Sequence, residues 1–296
     1  MNEDMGQKDL TGKLLEDYED VFSDIFNVLL FEKNVIKQQY LRAGATESIY
    51  KAENGNYRDQ FRDVIKEYTN CCLLEIASLG IENQSSLDKY ISVRVMGYDY
   101  TKYRNQIDRE KYPLLPVLTI VLNFSDVRWN VSKSLHSIME IPKEFKAYVQ
   151  DYRVKVFDIA FLEDEVIERF TSDFKIVAKF FKNKRLGKLD SFGNDKIIHI
   201  QELMDFLSVF SGDNRYKDIK VELMNKKAKG ESITMCIVIQ TWEEKGIKKE
   251  RLNAIQRMLR RGYSKEDILG WEYTEEEYME AESIIRNNHS YIMNCN

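Results

Sequence analysis

A glutamate and a glutamine stand two residues apart where an apolar run ends, in the stretch LGIENQS. Successive side chains of a strand point to opposite faces, so a strand that continues here puts Glu82 and Gln84 on one face and Asn83 on the other. The pair then offers one negative charge and one neutral hydrogen-bonding group at a strand end. Rigid strand ends often hold functional groups, but a chain also turns polar where it leaves the core. Both interpretations stay open at this point.

The composition indicates one large globular domain or a domain with an appendage, because 43% of the 296 residues are hydrophobic. A net charge of −5 argues against a protein that coats nucleic acid through bulk charge. The start MNEDMGQKD lacks the basic and apolar segments of a signal peptide, and no apolar run reaches the ~18 residues of a transmembrane helix. We therefore expect a cytoplasmic protein that does not enter a membrane.

Other catalytic patterns are missing from the sequence. The three histidines, His136, His199 and His289, have no metal-ligand spacing, and the four cysteines form no CxxC pair. No P-loop, GxGxxG pattern or nucleophile elbow occurs.

The residues around the glutamate and glutamine predict a sheet covered by helices. The segment Ser92–Ile107 reads as a helix with Arg94, Tyr98 and Lys102 four apart on one side. The segment Tyr57–Tyr68 suits a helix as well as a strand, and a turn, ENGN, precedes it at residues 53–56. This alternation predicts a mixed α/β domain. The best strand candidates are the apolar runs Leu73–Ile81, Leu114–Phe124 and Val154–Leu162.

An amphipathic helix is predicted over Leu14–Leu30, where apolar residues recur at helical spacing. Glu19 lies at the edge of the apolar stripe. The polar residues predicted to point away from it are Asp17, Asp20, Asp24 and Asn27.

After about residue 186 the pattern is helical. Helices are predicted near Ile197–Phe210, Asp218–Lys229 and Ile233–Arg261, and Gly262 ends the last of these. Ser264 then caps a short helix, and Thr274–Glu277 is a capping box that opens the final helix. We divide the chain into an N-terminal tail over residues 1–14, an α/β domain over 15–185 and a helical C-terminal region over 186–296.

Positive charge is concentrated in the stretch DFKIVAKFFKNKRLGK. A solvated helix face and a phosphate-contacting surface look the same in sequence, so both interpretations stay open. The basic residues are Lys175, Lys179, Lys182, Lys184, Arg185 and Lys188.

The block RDVIKEYTNCCLLEIASLGIENQSSLDKYISVRVMGYD resembles the recombination-promoting nuclease family, also described as YhgA-like transposases, within the PD-(D/E)XK nuclease superfamily. The stretches YEDVFSDIFNVLLF, ESIYKA, RWNVSKSL and YRVKVFDIAFL resemble it too, so the resemblance covers roughly residues 15 to 182. It implies that the α/β domain has a restriction-endonuclease-like core. The residues that match the family pattern are Asp63, Glu82, Gln84, Ser85, Arg94 and Tyr98.

The resemblance implies a metal-dependent DNA endonuclease linked to recombination or mobile elements. Hydrolysis of a phosphodiester needs an activated water, and a divalent cation held by carboxylates supplies one while it neutralises charge on the phosphate. Asp63 and Glu82 are then the ligands of Mg²⁺ or another divalent cation, and the carbonyl near Asn83 is a candidate third ligand. DNA is the implied partner, and a homodimer is expected if both strands are cut.

Gln84 departs from the superfamily, which has lysine at this position. Glutamine can orient a water molecule but carries no charge. Lys66, Arg94 and Lys102 are candidates to supply the missing charge, with Tyr98 as a further supporting residue. Glu19 and Asp24 are candidates for the helix acid of some superfamily members. The alternative function is a catalytically degenerate relative that binds DNA or a protein partner without cutting.

The connection between Asp63 and Glu82 is predicted to be irregular. A simple hairpin that joins them would turn near Cys72 and Leu73, which are poor turn residues. A bulge or an irregular loop is therefore needed to bring the two acids together.

Overall fold

The computed structural model describes residues 11–44, 47–51, 57–61, 63–188 and 193–293. The predicted turn at residues 53–56 and the first ten residues of the predicted tail lie outside these ranges. The chain divides into two compact units, Met1–Lys220 and Val221–Asn296.

The first unit is built on a five-stranded mixed sheet with the order β1-β4-β5-β6-β7. The central strand, β5, runs antiparallel to β4 and parallel to β6, and β7 runs parallel to β6. Strands β2 and β3 form a separate antiparallel ribbon. The three apolar runs are strands as predicted, and the ambiguous segment is extended. The strands are β1 (Leu41–Ala43), β2 (Glu47–Lys51), β3 (Tyr57–Phe61), β4 (Val64–Thr69), β5 (Glu75–Gln84), β6 (Val117–Asn123) and β7 (Lys155–Asp158).

The helices follow the predicted order, with the longest ones in the C-terminal half of the chain. The predicted helix between the first two apolar strands is α3. The helices are α1 (residues 11–16), α2 (Glu19–Ile25), α3 (Ile91–Asp108), α4 (Asp164–Ile167), α5 (Phe174–Leu186), α6 (Ile200–Ser211), α7 (Arg215–Asp218), α8 (Lys220–Ala228), α9 (Met235–Arg260), α10 (Lys265–Leu269) and α11 (Glu275–Met293).

Helices cover the sheet through apolar contacts. Ile91 and Val95 of α3 pack with Val121 of β6 in one buried cluster. Phe124, directly after β6, contacts rings of α5 and α6, including Phe181 at 4.9 Å between centroids. The observed architecture is therefore the mixed α/β fold that the sequence predicts.

The prediction of one continuous helix over Leu14–Leu30 is wrong. The helix ends at residue 16, restarts as α2, and continues as a π-helical segment, Phe26–Phe31. Asp24, predicted to point away from the core, is buried. Its carboxylate accepts hydrogen bonds from the backbone N–H groups of Thr171 and Ser172, both at 2.8 Å. These contacts compensate the cost of burying the charge.

The connection between β4 and β5 is irregular, as predicted. The pairing runs from Val64 opposite Ile81 to Tyr68 opposite Ala77, and then shifts at a bulge. Asn70 organises the loop, because its Oδ1 atom accepts hydrogen bonds from two backbone N–H groups. The bulge allows strands of unequal length to pair through to the end that carries Asp63 and Glu82.

The second unit is helical and has its own small core. Gly262 follows α9 with a φ of 84°. The Ser264 side chain accepts a hydrogen bond from the Asp267 N–H, and Thr274 and Glu277 exchange hydrogen bonds before α11, so the predicted cap and the predicted capping box are both present. Among the helices that the structure describes, none has the length and apolarity to cross a bilayer. The buried core residues are Leu252, Ile255, Ile268 and Ala281.

Candidate active site

Glu82 and Gln84 lie side by side on one face of β5, and both are buried. The Gln84 amide donates to Oε1 of Glu82 at 3.1 Å and to the carbonyl oxygen of Asn83 at 2.7 Å. The Asn83 side chain points the other way, where its amide donates to Oε2 of Glu16 at 2.6 Å. The structure therefore has the alternation that the sequence predicts.

Asp63 reaches the same end of β5. Strand β4 begins at Val64, which pairs with Ile81, so Asp63 stands directly before the strand at the end of β5 that carries Glu82. The Asp63 carboxylate accepts a hydrogen bond from the backbone N–H of Asn83, and its Oδ1 atom lies 3.1 Å from Nζ of Lys13. Asp63 thus lies at the same strand end as Glu82 and Gln84, with its carboxylate bonded to Lys13 and to the Asn83 backbone.

The residues spaced four apart on α3 lie on the side of the helix that faces β4 and β5. Nε of Arg94 lies 3.4 Å from Oε1 of Glu82, and the Tyr98 hydroxyl lies 3.5 Å from the same oxygen. One turn further on, Lys102 forms an ion pair with Glu67 of β4. Arg94 is therefore the candidate cation that the structure brings to Glu82.

The other candidate residues have different partners. Lys66 is buried on the opposite face of β4, where its Nζ lies 2.7 Å from Asp17 and 3.6 Å from Glu19. Glu19 is half exposed and has this lysine as its ion-pair partner. Asp24 instead accepts a hydrogen bond from the backbone N–H of Thr171, just before α5. These contacts give Lys66, Glu19 and Asp24 structural roles.

Sequence reasoning missed a second polar group, on the Asn83 side of β5. Glu16 of α1 is buried, and this burial raises the pKa of its carboxyl well above the usual value. The negative charge of Asp63 raises this pKa further, and the hydrogen bond from Asn83 lowers it. Glu16 stands in the acidic run EDYED, where nothing in the sequence distinguishes it from its exposed neighbours.

Sequence reasoning also missed Glu67, which stands opposite Ser78 of β5. Ser78 lies four residues before Glu82 on the same strand, so Glu67 is on the face of the sheet that carries Glu82. It is buried, and the hydroxyl of Ser78 donates to its Oε2 atom at 2.7 Å. The face of the sheet next to α3 is therefore polar over two turns of the helix.

The basic stretch on α5 is largely paired within the chain. Lys175 and Lys179 each contact both Glu168 and Asp195 at distances between 2.6 and 3.2 Å. Lys182 lies 2.8 Å from Asp164. These ion pairs favour a structural role for the first half of the stretch. Lys184 and Arg185 contact backbone carbonyl oxygens, and Lys188 is exposed.

The donor set suits a hard cation with few protein ligands. The described residues contain no group of three or more His, Cys, Asp or Glu side chains that could hold a metal ion. Asp63 and Glu82 offer carboxylate oxygens, which Mg²⁺ prefers, and Mg²⁺ usually keeps several waters. Two carboxylates at one strand end therefore fit Mg²⁺ better than a metal that needs a closed protein cage.

Comparison with known proteins gives one match. Residues 78–206 match the family model described as "Putative transposase, YhgA-like", which supports the resemblance to YhgA-like transposases over this segment. The matched segment contains Glu82, Gln84 and Arg94 and begins after Asp63. No curated protein and no solved structure matches the chain.

Proposed function

We propose that this chain, whose residues 78–206 match the model of YhgA-like putative transposases, is a divalent-metal-dependent DNA endonuclease acting in recombination or on mobile elements. The observation that carries the proposal is the hydrogen bond between Gln84 and Glu82 at the end of β5, with Asp63 directly before β4 at the same end of the sheet. In this proposal the sheet and its covering helices form a PD-(D/E)XK core.

Each polar side chain at the strand end has a role in the proposal. Asp63 and Glu82 would hold the cation, which when bound would lower the pKa of its water and neutralise charge on the phosphate. Gln84 orients the attacking water through its amide. Arg94 supplies the positive charge that the superfamily lysine would carry, and it stabilises negative charge as it develops on the phosphate. Tyr98 positions Glu82 through its hydroxyl.

A catalytically degenerate relative is the second candidate, and one observation favours it. The Asp63 carboxylate is engaged by Lys13 and by the Asn83 backbone, so both of its oxygens already have partners. A chain that keeps these contacts would bind DNA or a protein partner without cutting it.

Incubation with supercoiled plasmid, with and without Mg²⁺, tests the first candidate. We expect Mg²⁺-dependent nicking that falls by roughly 100-fold or more in Asp63→Ala and in Glu82→Ala, because each variant loses a metal ligand. Glu75→Ala is the matched control, since Glu75 lies at the other end of β5 and pairs with Lys111. A variant that cuts at the wild-type rate would remove its residue from the site, and DNA binding without nicking would favour the degenerate relative.

Cutting of both strands would require two active sites, so a homodimer is part of the proposal. Linear plasmid, produced together with a dimer on size-exclusion chromatography, is the expected result. Nicked circles produced by a monomer would contradict it.

A further inference from the structure

A cavity of about 460 Å³ opens where β5 and β6 end. Ser85, the residue after Gln84, lines one side, together with Phe124 and Ser125, which follow β6. The backbone N–H of Phe124 donates to the carbonyl oxygen of Gln84 at 2.8 Å, so this wall is bonded directly to the candidate site. Ligands of open α/β sheets bind outside the carboxyl ends of parallel strands, which is where this cavity lies. We call it the strand-end pocket.

The opposite wall of the strand-end pocket carries two cations of α5. Nζ of Lys184 donates to the carbonyl oxygen of Phe210 at 2.6 Å, and Nε of Arg185 donates to that of Ala160 at 2.8 Å. The Arg185 guanidinium also lies over the ring of Phe161, 4.4 Å from its centroid. Among the described residues Arg185 has no carboxylate partner, and its remaining N–H groups suit a phosphate.

The floor of the pocket is aromatic. Phe124 and Phe181 are buried, and the half-buried Phe210 lies beside both, with its centroid 6.0 Å from Phe124 and 5.3 Å from Phe181. Aromatic side chains bind unpaired bases by stacking, without regard to sequence. Asp126 also lines the pocket, and its carboxylate disfavours a free inorganic anion. Cations beside rings therefore favour a ligand that joins a phosphate to a flat apolar group.

We propose that the strand-end pocket binds one unpaired nucleotide of the DNA strand, next to the phosphate that the candidate site cuts. The backbone phosphate lies against Lys184 and Arg185, and the base lies against Phe210. The inference rests on the proposed function for the position of the cut, but the binding itself needs neither a metal ion nor cleavage. It also divides the basic stretch: Lys184 and Arg185 contact DNA, whereas Lys175 and Lys179 hold the fold together.

Fluorescence anisotropy of a labelled single-stranded oligonucleotide in EDTA, over a range of salt concentrations, tests the phosphate contacts. In Lys184→Gln and in Arg185→Gln the affinity should fall and the slope of log K against log [salt] should become shallower by about 0.7, as expected for one lost contact to a single strand. Lys179→Gln is the matched control, because Lys179 lies on the same helix but faces Glu168 and Asp195. Its slope should equal that of the wild type.

Replacement of the ring tests the base contact separately. Phe210→Leu should lower the affinity roughly 5- to 150-fold with an unchanged salt slope, because stacking is lost while the charges stay. A 2-aminopurine base in the oligonucleotide should be quenched on binding to the wild-type protein, which gives a readout that does not depend on the folding of any variant.

The outcomes separate this inference from the proposed function. Three outcomes would overturn nucleotide binding in the strand-end pocket, even if the wild type nicks plasmid. They are wild-type affinity and salt slope in both cation variants, an equal loss of affinity in Lys179→Gln, and 2-aminopurine that is not quenched. Binding that depends on the pocket residues, without Mg²⁺-dependent nicking, would support nucleotide binding in the pocket and contradict the proposed endonuclease activity.

Discussion

Glu82 shows how one buried carboxylate is accommodated at a strand end. A buried charge is costly unless it is paired and hydrogen-bonded, and Arg94, Tyr98 and Gln84 surround Oε1 of Glu82 at 3.1 to 3.5 Å. Lys66 and Lys102, the other candidate cations, pair with other acids. In the proposed site, Arg94 of the covering helix would therefore supply the charge that the superfamily lysine carries.

Substitution of Gln84 tests this arrangement. Gln84→Lys should preserve or raise the rate of plasmid nicking, because it adds a positive charge beside the reacting phosphate. Gln84→Leu should lower the rate by roughly 100-fold, because the water is no longer oriented. The measurement is the initial nicking rate in Mg²⁺, with unfolding curves as the control for folding. Loss of activity in a folded Gln84→Lys would contradict the prediction and would show that Arg94 already fills this role.

At the scale of residues, the sequence predicts partners that are close along the chain better than partners that are distant. Strand alternation alone places Glu82 with Gln84, because the two are neighbours on one strand face. The contact between Glu16 and Asn83 joins residues 67 positions apart, and no local period indicates it. The burial of Asp24 was missed for the same reason, since its partners lie about 147 residues away.

At the scale of elements, α1 is attached to β5 through a pair of polar side chains. Oε1 of Glu16 and Oδ1 of Asn83 are buried and have no hydrogen-bond partner among the described residues. Protonation of Glu16 gives both oxygens a hydrogen-bond partner. The O–H of Glu16 can then donate to Oδ1 of Asn83 while its Oε2 atom accepts from the Asn83 amide. This reciprocal pair agrees with the direction in which burial shifts the pKa of Glu16.

The pair predicts a pH dependence of stability. The unfolded chain releases the proton of Glu16 above about pH 4.5, whereas the folded chain keeps it. The protonated pair therefore contributes its full stabilisation of the folded chain below that pH. It is lost as the pH rises toward the folded pKa, by up to about 1.4 kcal/mol per pH unit. In Glu16→Gln the amide can make the same two hydrogen bonds without titrating. Its free energy of unfolding should therefore change less between pH 4 and pH 8 than that of the wild type.

Denaturant unfolding of both proteins at several pH values measures this difference. Parallel profiles for the wild type and Glu16→Gln would contradict the prediction, because the titration of Glu16 would then be the same in the folded and unfolded chains.

The strands and most helices were predictable because their signals are local. Apolar runs in the sequence predict β5, β6 and β7. The poor turn residues between Asp63 and Glu82 predict the irregular connection between β4 and β5. The break of the first helix at residues 17–18 was not predictable, because the apolar spacing continues across it. The π-helical segment that follows shifts later side chains relative to an α-helix, and periodicity alone does not detect such a shift.

At the scale of the whole molecule, charge is arranged locally. The net charge is −5, and most lysines of α5 pair with carboxylates of the same chain. If the chain acts on DNA as proposed, non-specific attraction is therefore weak, and affinity has to come from a few cations in defined positions. All residues assigned to metal binding, water orientation and nucleotide contact lie in the unit Met1–Lys220.

The unit Val221–Asn296 should fold without the residues of the candidate site, because Leu252, Ile255, Ile268 and Ala281 form its own core. Expressed alone, residues 221–296 should be helical and unfold cooperatively in denaturant. Ile255→Ala should lower the free energy of unfolding by about 2–5 kcal/mol, because the removed side chain is fully buried and leaves a cavity.

Ile247→Ala is the matched control on the same helix, since Ile247 is 63% exposed and its removal should change stability by less than about 0.5 kcal/mol. In the full chain neither substitution should change Mg²⁺-dependent nicking, because neither residue lies in the unit that holds Asp63, Glu82 and Gln84. A fragment without a cooperative transition would show that this unit needs the rest of the chain to fold. A loss of nicking in Ile255→Ala would give the C-terminal unit a part in cleavage, which the division of the molecule does not predict.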